Sequence, residues 1–309
     1  MDEKKKSLNI KILIPIIAIV VVGIIAAVLF LNKEEGYRSI KVHEVSGSAT
    51  LERENVGAME AYENLNLISG DKLQTLVESY VRLKMDEDKY VLVEQESKLQ
   101  IYATGNTENS TTDIRLDSGA ITVEVENKLN DDSSFEVTTP NAVMAIRGTV
   151  FRVTTDVDEN GNPITRVTIF DGKVAVQKIE EDGTLSEEVI VESGKEALIY
   201  EENNEEIIVI LDEIDVSQLP LEVLEFLKEI AEDGEELSIS LDEIEELIEA
   251  IENPVYTVTF MYNGQVFGTQ KVNEGELVTK PTLKPAPTGN WNYDFGEPIT
   301  EDTTIEFIE

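Results

Sequence analysis

From His43 to about Leu211, apolar and polar positions alternate with a period of two. The inward sets are Val81, Leu83 and Met85; Leu99, Ile101 and Ala103; Ile121, Val123 and Val125; and Phe151 and Val153. Successive side chains of a strand point to opposite faces, so this pattern predicts half-buried strands. The pairs Ser69-Gly70, Ser118-Gly119, Asn160-Gly161, Asp171-Gly172, Asp182-Gly183 and Ser193-Gly194 punctuate the runs as turns. With no helical period between them, they predict an all-β antiparallel domain over 43–211, built as a sandwich, roll or solenoid.

The period changes near Val216. Leu221, Leu224, Leu227 and Ile230 recur at helical spacing, as do Leu241, Ile244, Leu247, Ile248 and Ile251, so two amphipathic helices are predicted in a connector over 216–253. Gly234 separates them, and Ser217 and Pro220 suit the start of the first. Ser240 to Glu243 fits a capping box at the second, and Pro254 stops the chain. Residues 205–252 hold eighteen Asp or Glu and one Lys. Repulsion leaves such a pair marginal unless its leucine stripes pack on a neighbour. A third unit, 255–309, returns to strands: Tyr256, Val258 and Phe260 lead into the hairpin signal Asn263-Gly264. Pro281, Pro285 and Pro287 then make a stiff extended segment before Trp291 and a last strand from Thr304 to Ile308.

One segment has no period at all. Ile12 to Leu31 is an unbroken apolar run of twenty residues, which as a helix reaches about 30 Å, the thickness of a hydrocarbon core. It exceeds a signal-peptide apolar region, and no A-x-A pattern follows it. An uncleaved single-pass transmembrane helix over 12–31 is therefore expected. Lys4, Lys5, Lys6 and Lys11 precede it, while Lys33, Arg38 and Lys41 follow among glutamates, so residues 1–11 are expected in the cytoplasm and the bulk outside.

Charge narrows the partners. The net charge of -38 excludes a simple nucleic-acid or anionic-lipid binder. The absence of cysteine removes disulfides and thiol chemistry together.

Candidate chemistry is sparse. The single histidine, His43, has no partner for a triad or a zinc site. Paired carboxylates carry no specificity among 63 acidic residues. Asp156 to Gly161 resembles the opening of a calcium loop, but Val167 occupies the twelfth position and Pro163 interrupts it, which favours a plain hairpin. No phosphate-binding glycine motif and no nucleophile elbow is present, so neither an enzyme nor a cofactor is expected. The most informative segment is TPNAVMAIRGTVFRV, residues 139–153. Pro140 opens an extended chain, Ala142 to Ile146 can be enclosed, and Gly148 permits a tight bend. Arg147 then needs an acceptor: loop carbonyls or a carboxylate fixing the turn, or else a ligand.

That segment resembles the signature of the FecR domain, T-P-x-A-x-x-x-x-R-G-T-x-F, carried here by Thr139, Pro140, Ala142, Arg147, Gly148, Thr149 and Phe151. Gly47-Ser48-Ala49, Leu67 to Asp71 with Thr75, Phe170 to Val174 and Ser193 to Lys195 follow in family order, so the resemblance spans roughly His43 to Tyr200. It implies an extracytoplasmic all-β module that binds or senses at the cell envelope. FecR itself relays a signal to a cytoplasmic sigma factor, but eleven residues cannot fold an anti-sigma domain, so that arm is not carried over. Residues 255–309 look like an internalin B-type repeat of the Listeria–Bacteroides kind, carried by Tyr256 to Phe260, Gly289, Trp291, Phe295 and Pro298 to Ile305. This implies a β-grasp-like spacer or protein-contact module. Together these give a Gram-positive-type membrane-anchored binding or scaffold protein whose partner is an envelope protein or wall polymer. The alternative is a signal-sensing regulator acting through a separate membrane partner, and a calcium-dependent adhesin is a third reading.

Overall fold

The computed structural model describes residues 38–106, 109–180, 182–202, 205–284 and 287–308. The apolar run over 12–31 lies outside the described residues, and among those described no helix is long and apolar enough to cross a membrane.

The alternating region forms sixteen strands: β1 Ile40–Ser46, β2 Ala49–Arg53, β3 Gly57–Glu60, β4 Lys72–Thr75, β5 Tyr80–Met85, β6 Lys89–Val93, β7 Lys98–Gly105 and β8 Ser110–Val125, then β9 Ser134–Thr138, β10 Ala142–Ile146, β11 Val150–Val157, β12 Pro163–Asp171, β13 Lys173–Lys178, β14 Val189–Glu192, β15 Glu196–Glu202 and β16 Glu205–Leu211. They make two layers. One runs β1-β5-β6-β8-β11-β12-β15-β16, and the other β3-β2-β4-β7-β8-β9-β10-β13-β14. All pairings are antiparallel except β8 with β9. Leu83, Val123, Phe151 and Ile169 from the first layer share one core with Leu73, Leu99, Phe135 and Met144 from the second.

Strand β8 belongs to both layers, because Ser118-Gly119 is not a hairpin turn as its composition suggests but a kink within one strand. Three further crossings lie beside it, at Gly47, Glu78 and Glu96, each with positive φ like Gly119. Serines lock these corners together. Ser79 Oγ accepts from Ser48 N at 2.9 Å, and Ser97 Oγ accepts from Ala120 N at 2.9 Å. Gln95 Oε1 accepts from Glu78 N at 3.0 Å, joining the middle pair.

The helices are α1, Leu221–Glu232, and α2, Leu241–Glu252. They lie against the outer face of the first layer, where Val223, Leu224, Phe226, Leu227 and Ile230 of α1 cover Leu92, Val150 and Phe170. Ser238 N donates to Phe170 O at 2.7 Å and fastens the connecting turn. Burying five apolar side chains contributes on the order of 10 kcal/mol at most, whereas each like-charge neighbour on an exposed helix costs about 0.2–0.5 kcal/mol. Burial wins, and the acidic pair is held. Pro220 starts α1 without a side-chain cap, while Ser240 Oγ accepts from Glu243 N at 3.3 Å at the head of α2. Ser240→Ala is expected to lower stability by about 1 kcal/mol, read as a lower urea midpoint at unchanged m.

Residues 255–308 form a separate four-stranded sheet, ordered β18 (Gln265–Asn273), β17 (Val255–Tyr262), β20 (Thr303–Ile308), β19 (Asn290–Trp291). β17 and β20 are parallel. Trp291 centres its core, edge-on to Phe260 at 5.5 Å and Phe307 at 5.4 Å. No helix lies within this unit among the described residues.

Candidate functional site: a polar groove beside the stacked corners

At the corner end of the β domain, the outer face of the first layer is left open by the helices. A groove of about 710 Å³ lies there, between the corners at Glu96 and Gly119, the β11–β12 hairpin, and Pro220 ahead of α1. A smaller cavity of about 270 Å³ adjoins it, sharing Arg152 and Thr154.

Cross-strand register builds the floor. Thr122, Arg152, Thr168 and Glu196 lie opposite one another on β8, β11, β12 and β15. Ala120, Thr154 and Arg166 form the next row. Two arginine–glutamate pairs cross diagonally between these rows. Arg152 donates through Nε and Nη2 to Glu94, at 2.8 and 2.6 Å, and Thr122 Oγ1 donates to the same carboxylate at 3.2 Å. Arg166 pairs with Glu196, which also accepts from Thr168 Oγ1 at 2.8 Å. The Glu94 side chain is 3% exposed and that of Glu196 6%, so both carboxylates depend on these donors. Glu96, Asp117 and Asp156 are exposed around the rim and make it acidic.

The signature residues divide between two ends of the domain. Thr139, Asn141 and Thr165 form a buried knot behind the groove wall: Thr165 Oγ1 donates to Asn141 Oδ1 at 2.6 Å and lies 2.8 Å from Thr139 Oγ1, from whose hydroxyl it can accept. Asn141 Nδ2 donates to the carbonyls of Pro163 and Ile199, tying the β9–β10 turn to the first layer. Pro140, between them, lines the groove. Ala142 and Phe151 are core residues.

Arg147, Gly148 and Thr149 sit at the opposite end. The Arg147 side chain is 78% exposed and, among the described residues, its acceptor is the fully exposed Asp131, at 3.6 Å. A pair in that setting is worth little, so the turn is fixed otherwise. Gly148 has φ +101°, and a Cβ on Gly172 would fall 2.7 Å from Gly148 O. Two glycine turns therefore pack backbone to backbone, which accounts for the R-G-T and F-D-G-K blocks in one chain. The L-I-S-G-D block ends in Asp71, buried, accepting from Arg53 at 2.6 Å and from Ile68 N at 2.8 Å.

The Asp156–Gly161 segment is the β11–β12 hairpin. Asp158 spends its carboxylate on the backbone amides of Asn162 and Asn160, which hold it below the ordinary carboxylate range. No cluster of three or more metal-ligating side chains occurs among the described residues. His43 is exposed on β1.

Sequence reasoning missed Glu94, Arg152, Arg166 and Glu196. Only Arg152 carried a visible signal, a charge between two strand-forming apolar residues in Phe151-Arg152-Val153.

No curated protein matches this chain. Two crystal structures of candidate anti-sigma factors from Parabacteroides distasonis are similar to it, each at a TM-score of 0.39. One is 10% identical, covering 77% of this chain and 98% of that one; the other is 13% identical, covering 63% and 96%. Residues 71–175 match the family model described as FecR protein, a span that runs from the end of the Asp71 block through the groove floor at Glu94 and Arg152 to β13.

Proposed function

We propose that this chain is an envelope signal-sensing regulator whose FecR-type domain binds a partner protein in the groove and which acts through a separate membrane partner. The observation that carries this reading is the overlap between the FecR match and the groove: Glu94, Asp117, Arg152 and Asp156 all fall within 71–175. The acidic rim fits a basic segment on the partner. The apolar run over 12–31 supplies the anchor, with residues 1–11 in the cytoplasm and the bulk outside. The unit at 255–309 serves as an internalin B-type spacer or contact module. A scaffold role is the second reading, favoured by Val266 and Phe267, apolar and exposed on the edge strand of that unit.

Deleting the gene is expected to change transcription, and a chain carrying Asp117→Lys and Asp156→Lys is expected to fail to restore it while keeping its melting temperature. Full restoration by this variant removes the groove from the mechanism; an unchanged transcriptome on deletion favours the scaffold. Protease added to protoplasts is expected to remove everything beyond about residue 40, and complete protection would refute the topology.

A further inference from the structure

Glu124 is an outward residue of β8 that lies beneath the helix pair, between two residues of its apolar contact. It lies opposite Tyr90 on β6 and Val150 on β11 and is 8% exposed, and among the described residues no hydrogen-bond donor or cation meets its carboxylate. The charged groups around it share its sign. Glu126 lies just past the end of its strand, and Glu229 of α1 with Asp233 and Glu235 of the turn into α2 are near enough to repel it. The nearby cations are committed elsewhere. Arg82 of β5 holds Glu229 at 2.7 Å and Glu44 at 3.3 Å, and Lys84 lies over the Tyr90 ring at 5.1 Å. The end of α1 adds the negative pole of its dipole and has no basic residue in its last turn.

An anion in that position opposes the contact that buries it, while a neutral acid does not. We propose that the helix pair is an acid-latched flap: protonated Glu124 lets α1 and its turn close tightly on the sheet, and ionised Glu124 loosens that closure, so that openings which bare Leu92, Val150 and Phe170 and move the Pro220 wall of the groove become more frequent. This goes beyond the partner-binding reading and does not depend on it.

Burial, followed by the repulsion of Glu126, Glu235, Asp233 and Glu229, pushes the Glu124 carboxyl up to about 7 from its ordinary 4.5. The sign follows from which state binds the proton. Between those values the closed state keeps a proton that the open state has lost, so closure weakens as pH rises from 4.5 through 7 and is weakest above that.

The test is hydrogen–deuterium exchange of peptides covering 221–252 in the full-length chain in detergent micelles, at pH 5.5 and 8.5, corrected for intrinsic rates and referenced to β17 and β18. Protection of the helix pair is expected to fall at least about tenfold between these pH values in the wild type, and to stay high at pH 8.5 in Glu124→Gln. An equal fall in both proteins, or none in the wild type, overturns the proposal. Should Glu124→Gln fail to fold, the exposed pair Asp233→Asn and Glu235→Gln must shift the midpoint of the fall to lower pH and make the fall smaller, because with less repulsion Glu124 ionises more readily in the closed state. An unmoved midpoint overturns the proposal equally.

Discussion

Arg152→Ala is expected to cost about 3 kcal/mol of stability and to lower the melting temperature of the β domain by about 10 °C. The loss comes from Glu94 rather than from the arginine. Its side chain is 3% exposed and accepts two bonds from Arg152, so removing the guanidinium leaves a buried carboxylate with only Thr122 as a donor. Replacing both members, Glu94→Leu with Arg152→Met, is expected to recover most of the loss, since apolar side chains in place of a buried ion pair carry no desolvation penalty. Urea unfolding of Glu94→Leu, Arg152→Met and the double completes the cycle, with Arg152→Ala beside them. A double variant no more stable than Arg152→Ala would show that packing, and not the orphaned charge, sets the cost.

Gly119→Ala is expected to cost about 3 kcal/mol. Gly119 has φ +88°, where an alanine loses about 1–2 kcal/mol, and its Cβ would stand 2.4 Å from Ser97 Oγ and 2.5 Å from Ser97 Cα. The second of these is backbone and has nowhere to go, which adds an overpacking cost of about 1–3 kcal/mol. Gly161→Ala is the matched control. It has φ +90° with nothing within 4 Å of the added Cβ, so it carries only the conformational loss. Equal urea midpoints for the two alanine variants would remove the steric account of the corner.

How much of this was legible in the chain depends on how far apart the cooperating residues lie. The strands from Tyr80 to Val153 could be read because alternation is local, and the helices because Leu221 to Ile230 and Leu241 to Ile251 repeat within a few turns. Ser118-Gly119 misled because a glycine that permits a reversal equally permits a strand to change layers. Arg147 could be read only as needing an acceptor, because Asp131, the carboxylate it meets at 3.6 Å, lies sixteen residues away and nothing local marks the pair. The groove floor was invisible because Arg152 and Glu94 are 58 residues apart, and only the β6-β8-β11 register brings them together. The contact between the helix pair and the sheet was hidden likewise, since Leu92 and Phe170 read as ordinary strand residues until their outward orientation is known.

The passage of β8 through both layers has a consequence for how the domain fails. Its first half is flanked by β7 and β9, and its second by β6 and β11, so it is the spine on which each half of the core is hung. Neither layer can melt while the other stands, because losing one frees the strand that centres the other. A domain strung this way has no half-undone form for a protease to catch, and it gives way all at once.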